Sequence, residues 1–308
     1  MFNYIIKNLL YTFLILFGVI TVTFALLYVV PGDPARIMLG QRADVASVEA
    51  VREELGLNKP LYIQYGLFVS KAVRGDLGRS YATNRDVVKT ILEKFPATAL
   101  LAISAMILSS ILGIIIGIIS AIKSYSALDN ASMIFALIGI SFPQFAFGLI
   151  MALVFGFLLK WFPISGYISE GFSYLILPMV TLALRPLAII ARITRSAMLD
   201  ALSQDYVRTA KAKGLPYNKI IFKHTLRNAL NPIVTTISTS FAATLGGAYF
   251  IEYIFNWPGI GLLAFDSILK LDFPMIQGTV LFSAVVFVII NFFVDILYAL
   301  LDPKIKLS

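Results

Sequence analysis

Residues 97–122 read ATALLAISAMILSSILGIIIGIISAI, with no charged side chain from end to end. A helix needs about 20 mostly apolar residues to cross a hydrocarbon core of roughly 30 Å, so this stretch has a bilayer as its natural solvent. Backbone polar groups at membrane depth must be satisfied within the segment, which makes the run helical. Working outward with the same test finds about six runs, approximately 9–30, 97–122, 133–159, 174–190, 232–251 and 279–301, the fourth being the shortest. The first run is longer than a signal-peptide core and lacks a small-residue cleavage site, so it reads as a retained helix. The expectation is an all-α integral membrane protein with about six transmembrane helices.

The rest of the composition agrees. Across 308 residues 59% are hydrophobic and only 14% charged, and the mean hydropathy is +0.86. The net charge of +8 comes without basic runs interleaved with aromatics, so the reading includes no nucleic acid; a cytoplasmic membrane face accounts for it. The chain has no cysteine and one histidine, which excludes disulfides, thiol catalysis and an all-histidine metal site within one chain. No HExxH or G-x-S-x-G occurs, which argues against an intramembrane enzyme, and no G-x-x-x-x-G-K-[ST] is present to cradle ATP phosphates.

Orientation follows from lysine and arginine in the short loops. Arg192, Arg195, Arg208, Lys211, Lys213, Lys219, Lys223 and Arg227 lie between the fourth and fifth runs, and Lys7, Lys123, Lys304 and Lys306 fall on the same side. The opposite short loops hold Lys160 and Lys270. Both termini and the loop at about 191–231 are therefore expected in the cytoplasm, with the long loop after the first run outside. Trp161 and Trp257 fall at the expected outer ends of runs, where amphipathic rings favour the headgroup layer.

The cytoplasmic loop is patterned as helix, turn, helix. Ala197, Ala201, Tyr206, Ala210 and Leu215 alternate with charge, and the pattern breaks at Gly214 and Pro216. Glycine allows a backbone conformation closed to other residues, and Pro216 can open the next helix. On composition alone a solvated basic loop that satisfies the charge asymmetry is the favoured reading of the segment.

The stretch from Asp205 to Pro232, DYVRTAKAKGLPYNKIIFKHTLRNALNP, resembles the cytoplasmic "EAA" loop of ABC importer permeases in its dipeptide/oligopeptide/nickel form. Aligned on Gly214, Arg208-Thr209-Ala210 replaces Glu-Ala-Ala of the general motif, and His224, Leu226 and Arg227 replace Ile, Leu and Pro; RTAKAKGL followed by H-x-L-R-N-A is the form found in the peptide and nickel permeases. Collinear strings extend the likeness over nearly the whole chain: Pro31-Gly32-Asp33-Pro34, LGLNKPLYIQY from Leu55, RGDLGRS from Arg74, FPATALLA from Phe95, SFPQF from Ser141, FPISG from Phe162, IEYIFNWPGIG from Ile251, LDFPMIQG from Leu271 and NFFVDILYALLDP from Asn291.

The resemblance, to dipeptide permease B-like inner membrane components of binding-protein-dependent transport, implies a type I ABC importer permease fold. Residues 1–96 would hold the first transmembrane helix and a folded extracytoplasmic loop, 97–301 the five-helix core, and 302–308 a cytoplasmic tail. It implies a transport subunit without its own ATP site, no cofactor on this chain, and ATP and Mg on two ATPase subunits. The further partners are a second homologous permease, an extracytoplasmic substrate-binding protein and the lipid bilayer of a bacterial or archaeal cytoplasmic membrane. The ATPases would grip a coupling helix around Arg208, Thr209, Ala210, Lys211, Lys213, Gly214 and Leu215, with Ala210 and Gly214 as packing and turn residues against the ATPase cleft. ATP-driven closure would shift the permease from inward-open to outward-open. Peptides are the commonest cargo of the type; nickel, metal chelates, glutathione and sugars share the architecture.

Several residues stand apart. Asp295 lies in the last run, one or two turns from its cytoplasmic end, where snorkelling or pairing with a partner permease outweighs a proton relay. Arg185, followed by Pro186, reads either as a pore-lining charge or as a snorkelling one. His224 reads as a surface residue, and Gly113 and Gly117 have the small-xxx-small spacing of helix packing. Pro143, inside the third run, is placed to bend or break it. The external segment 45–57 is amphipathic, and with the loop at 252–273 it would form a docking surface or a passive cap. An ion-coupled secondary transporter or channel also fits six spans, but it calls for embedded charges and inverted repeats that the sequence does not clearly display.

Overall fold

The computed structural model describes residues 2–29, 35, 46, 48–49, 52–53 and 56–301, with side chains for 11–25, 35, 46, 48–49, 52–53, 56–245 and 248–294. Pro31-Gly32-Asp33-Pro34, most of 45–55, the Asp295 side chain and the tail 302–308 lie outside them. Among the described residues all regular secondary structure is helical, joined by turns and loops, with one isolated antiparallel bridge between Arg79 and Asp86.

The elements in chain order are α1 (Phe2–Val29), α2 (Leu61–Val73), α3 (Val87–Ile122), α4 (Ala127–Ser141), α5 (Gln144–Met151), α6 (Ser173–Leu202), α7 (Asp205–Ala212), α8 (Leu226–Gly247), α9 (Tyr249–Ile254), α10 (Ile260–Leu269) and α11 (Phe273–Leu301). Three of them, α3, α6 and α11, are long and apolar enough to cross a membrane, and α4 with α5 makes a fourth if the pair is counted as one span. The third expected run is thus broken. Phe142 closes α4 by donating to the Ile138 carbonyl, Pro143 follows in an extended conformation, and the chain bends by 105° into α5. Proline and the restricted residue before it supply the break. The helix then continues as a π-helix over Ala152–Leu158.

The fifth expected run falls on α8, which carries Asn228, Asn231, Thr235, Thr236, Ser238, Thr239 and Ser240 and so is more polar than the other long helices. The hydroxyls of Thr235, Thr236 and Thr239 each donate to a carbonyl four residues back, so the helix takes care of its own polar groups.

The chain divides into two compact units. The first comprises residues 1–97 with 258–289, the second 98–257 with 290–307. Within the first, α2 lies on α1 through the Tyr65 and Phe68 rings against Phe24 and a 2.7 Å hydroxyl contact between Thr21 and Tyr65. Phe95 packs edge-on against Phe282, and Gly278 receives Val87 and Ile91 where any larger residue would collide.

Within the second unit α6 is central. Its most apolar window is 61% buried, against 33% for α3 and α11, and it packs on α4, α5, α8 and α9. Gly113 and Gly117 let α3 approach α6 closely: a Cβ added at Gly117 would lie 2.5 Å from Thr194 Cβ and 2.6 Å from the Ala191 carbonyl. The small-residue spacing is a packing device here. Trp161 is exposed, whereas Trp257 is fully buried with its ring 4.9 Å from that of Tyr167. The reading of Trp257 as a headgroup anchor is therefore corrected: the turn after α9 folds its indole inward, a placement that position near a span end does not reveal.

Candidate functional site: the 203–225 loop and a cavity between helices

The loop between α6 and α8 folds as helix, turn, helix. Gln204 caps α7 without a side-chain bond, Asp205 sits favourably in the first turn, and Lys211 in the last complements the helix dipole. Val207 and Ala210, one turn apart, are buried against Ile220, Leu202 and Leu215. Asp205, Tyr206, Arg208, Thr209, Lys211, Ala212 and Lys213 form the exposed remainder. Arg208 reaches Asp205 at 3.4 Å in full solvent, a contact that adds little.

The helix ends in a Schellman motif. The Gly214 amide donates to the Lys211 carbonyl at 3.0 Å, and the Leu215 amide donates to the Ala210 carbonyl at 3.3 Å. Gly214 adopts φ +71°, which the motif requires and glycine supplies without strain. Leu215 then packs on the cluster of Val207, Ala210 and Ile220, an apolar closure of the kind that accompanies this cap. Of the seven residues marked by the sequence, Arg208, Thr209, Lys211, Lys213 and Gly214 are exposed, Leu215 is half-buried, and Ala210 is buried in its own chain. Ala210 thus holds the helix down while its neighbours face outward.

Beneath this loop lies a core of Ile118 and Ala121 from α3, Met198 and Ala201 from α6, Ile221, and Ala229 and Ile233 from α8. Leu202 touches both this core and the α7 cluster, so the loop rests on the helices that carry it. Just above, Asp129 at the start of α4 is buried and bound on all sides. Arg195 of α6 donates Nε and Nη2 to its two oxygens at 2.6 Å each, Ser120 Oγ of α3 donates at 2.8 Å, and the Tyr125 amide at 2.8 Å. Sequence reasoning missed this pair. The available signal was the Ser126-x-x-Asp129 cap pattern, which locates the carboxylate but not its partner on α6.

A second site sits at the break between α4 and α5. Pro186 in α6 has no N–H to offer Leu182, whose carbonyl is left open. Gln144, the first residue after the break, donates Nε2 to that carbonyl at 2.9 Å, and more weakly to Thr181 at 3.4 Å. Beside this stitch is a cavity of about 250 Å³ lined by Gln144, Leu182, Arg185, Pro186, Ile189, Ser240, Ala243 and Thr244. Arg185 is exposed on the chain and has no ion-pair partner among the described residues, while Thr244 Oγ1 donates to the Ser240 carbonyl at 2.7 Å.

In the first unit Asp272 ties two loops together. It accepts from Ser80 Oγ at 2.5 Å and from the Tyr81 amide at 2.9 Å, while Gly75 and Gly78 make the turns of the RGDLGRS segment at φ +77° and +78°. Burial, and then the nearby Asp272 carboxylate, pushes the Tyr81 phenol up to about 12.

The comparisons with known proteins cover the chain from end to end. The family model described as binding-protein-dependent transport system inner membrane component matches residues 113–307, and its N-terminal counterpart matches residues 1–102. The chain is 42% identical over 306 residues to the glutathione transport system permease protein GsiC of Escherichia coli strain K12, covering 99% of each, and equally so to its namesake in Shigella flexneri serotype 5b. Two solved structures share the fold: the MetNI methionine ABC transporter in inward-facing conformations, with TM-score 0.55 and 16% identity over 69% of this chain and 96% of that one, and an amino acid ABC transporter with histidines, with TM-score 0.53 and 13% identity over 70% and 94%. The relatives are transport subunits rather than enzymes, in keeping with a chain that lacks a phosphate-binding loop. With family models over both halves and relatives aligned along its full length, the chain belongs to the inner membrane components of binding-protein-dependent transport systems, as the permease subunit of an ABC importer.

Proposed function

We propose that this chain forms half of the translocation pathway of an ATP-driven importer of small peptides, glutathione-like tripeptides among them. The full-length likeness to glutathione permeases supports the cargo class. The observation that carries the mechanism is the construction of α7: an inner face of Val207 and Ala210 clamped to the membrane helices, and a charged outer face presented to a partner.

In this reading α1, α3, the α4–α5 pair, α6, α8 and α11 make six crossings of a bacterial or archaeal cytoplasmic membrane, with both termini inside. Residues 1–96 provide the first helix and the external loop, 97–301 the core and 302–308 the tail. A second homologous permease completes the pathway. Two ATPase subunits bring ATP and Mg; this chain carries no cofactor. Each ATPase grips one coupling helix, here Arg208 to Leu215, and closure on ATP opens the outer face because ATP binds that state more tightly. The loops joined by Asp272 receive the binding protein.

Co-purification of the tagged chain from its host in mild detergent, with mass spectrometry of what stays bound, tests this. Recovery of a second permease, ATPases and a binding protein that retains small peptides is the expected result. A chain that purifies alone under conditions that keep the membrane intact at the outset would refute it.

A further inference from the structure

We infer that the cavity beside Arg185 is an anion subsite that takes a carboxylate of the cargo in transit; the inference rests on the peptide-importer reading above. Arg185 stands twelve residues from the first residue of α6 and seventeen from the last, Ser173 and Leu202. At 1.5 Å per residue that is roughly 18 Å and 25 Å of helix, but the apolar run 174–190 ends only five residues, about 8 Å, beyond Arg185, so the side chain can turn to the nearer surface or into the cavity it lines. In the cavity an arginine calls for a counter-charge or a water-filled path. Among the described residues no carboxylate lines the cavity; the polar groups around it besides Arg185 are Gln144, Ser240 and Thr244, all neutral.

The arrangement suits a charged guest rather than a structural ion pair. Where this chain needs a permanent pair it builds one, as Asp129 shows with two 2.6 Å bonds to Arg195 and two further donors. At Arg185 the neighbours are instead a glutamine already committed by its amide nitrogen to the Leu182 carbonyl, and hydroxyls on α8, one of which, Thr244, spends its proton on Ser240. They can orient a carboxylate without neutralising the arginine. A planar guanidinium matches a carboxylate by paired hydrogen bonds. The volume of about 250 Å³ holds a carboxylate and a small adjoining side chain, a subsite rather than a whole peptide pocket.

The test uses the reconstituted importer with its binding protein, and two probes differing in one group: a radiolabelled tripeptide and its C-terminal amide. Arg185→Gln is expected to lower uptake of the free acid relative to the amide roughly tenfold or more, the effect of losing a charge-assisted hydrogen bond. Arg185→Lys should keep part of the wild-type ratio. Ser240→Asp gives Arg185 a partner inside the cavity and should reproduce the loss with the arginine in place. If Arg185→Gln and Ser240→Asp both retain the wild-type ratio, the inference is overturned. If Arg185→Gln instead fails to hold the second permease while Ser240→Asp transports normally, Arg185 is a subunit contact and the inference is equally overturned. A wild-type complex that takes up neither probe would reject the peptide-importer reading itself, a result distinct from both.

Discussion

Replacing Gly214 by aspartate separates what the loop does for its own fold from what it does for a partner. Gly214 sits at φ +71°, where a residue with a Cβ is strained by roughly 1–2 kcal/mol, aspartate and asparagine at the low end because they visit that region locally. A Cβ built there meets nothing of its own chain within 4 Å, so no packing cost adds to the strain. The expected loss within the chain is about 1 kcal/mol, which moves any local equilibrium by less than tenfold, since a factor of ten corresponds to about 1.4 kcal/mol. An effect on transport much larger than tenfold must then arise where Gly214 and the exposed Arg208, Thr209, Lys211 and Lys213 meet another protein. The assay is uptake and ATP hydrolysis measured on one proteoliposome preparation. Gly214→Asp should cut uptake more than tenfold and abolish the acceleration of hydrolysis by loaded binding protein. Gly214→Asn, equally tolerant of the backbone but neutral, should fall between it and wild type. Wild-type uptake in Gly214→Asp would refute the reasoning. So would Gly214→Ala, the variant least tolerant of positive φ, proving the worst of the three, because the defect would then follow strain.

Three further outcomes are expected. Asp129→Ala leaves the Arg195 guanidinium half-buried without its counter-charge, a change of about 3 kcal/mol that should appear as earlier thermal unfolding of the detergent-solubilised protein; the double change Asp129→Asn with Arg195→Gln should recover part of it, and a wild-type melting curve for Asp129→Ala would contradict the burial. Gly117→Ala pushes a methyl against the Ala191 carbonyl and Thr194, an overpacking of about 1–3 kcal/mol seen as reduced folded yield, whereas Gly18→Ala in α1, with nothing within 4 Å, should be neutral. Asp272→Ala removes the acceptor of the Tyr81 amide, so exchange of that amide with deuterium should quicken by roughly tenfold or more; unchanged exchange would show that the carboxylate does not hold the loop.

The apolar runs and the helix-turn-helix around Gly214 were legible from the chain alone, because each depends on local composition or on one residue's backbone freedom. Charge-free stretches must be helices in lipid, and a glycine after Lys213 followed by Leu215 and Pro216 carries the signature of a closed helix end. Pro143 likewise announced a break.

What answered each of these lay far away in sequence. Gln144 meets the Leu182 carbonyl across 38 residues, Arg195 meets Asp129 across 66, and Asp272 reaches Ser80 across 192. No periodicity encodes such pairings, since they arise only when helices pack and each buried polar group must find the partner that the packing brings near. The same applies to Trp257, whose place near a span end suggested the headgroup layer while the fold around Tyr167 gave it a buried site, and to Ala210, which turns inward while its neighbours along α7 turn out. Sequence alone determined which segments are apolar enough to prefer a bilayer and where the loop closes; tertiary packing decided which face of each helix is committed to its own chain, and so which groups, Arg185 among them, remain for something else.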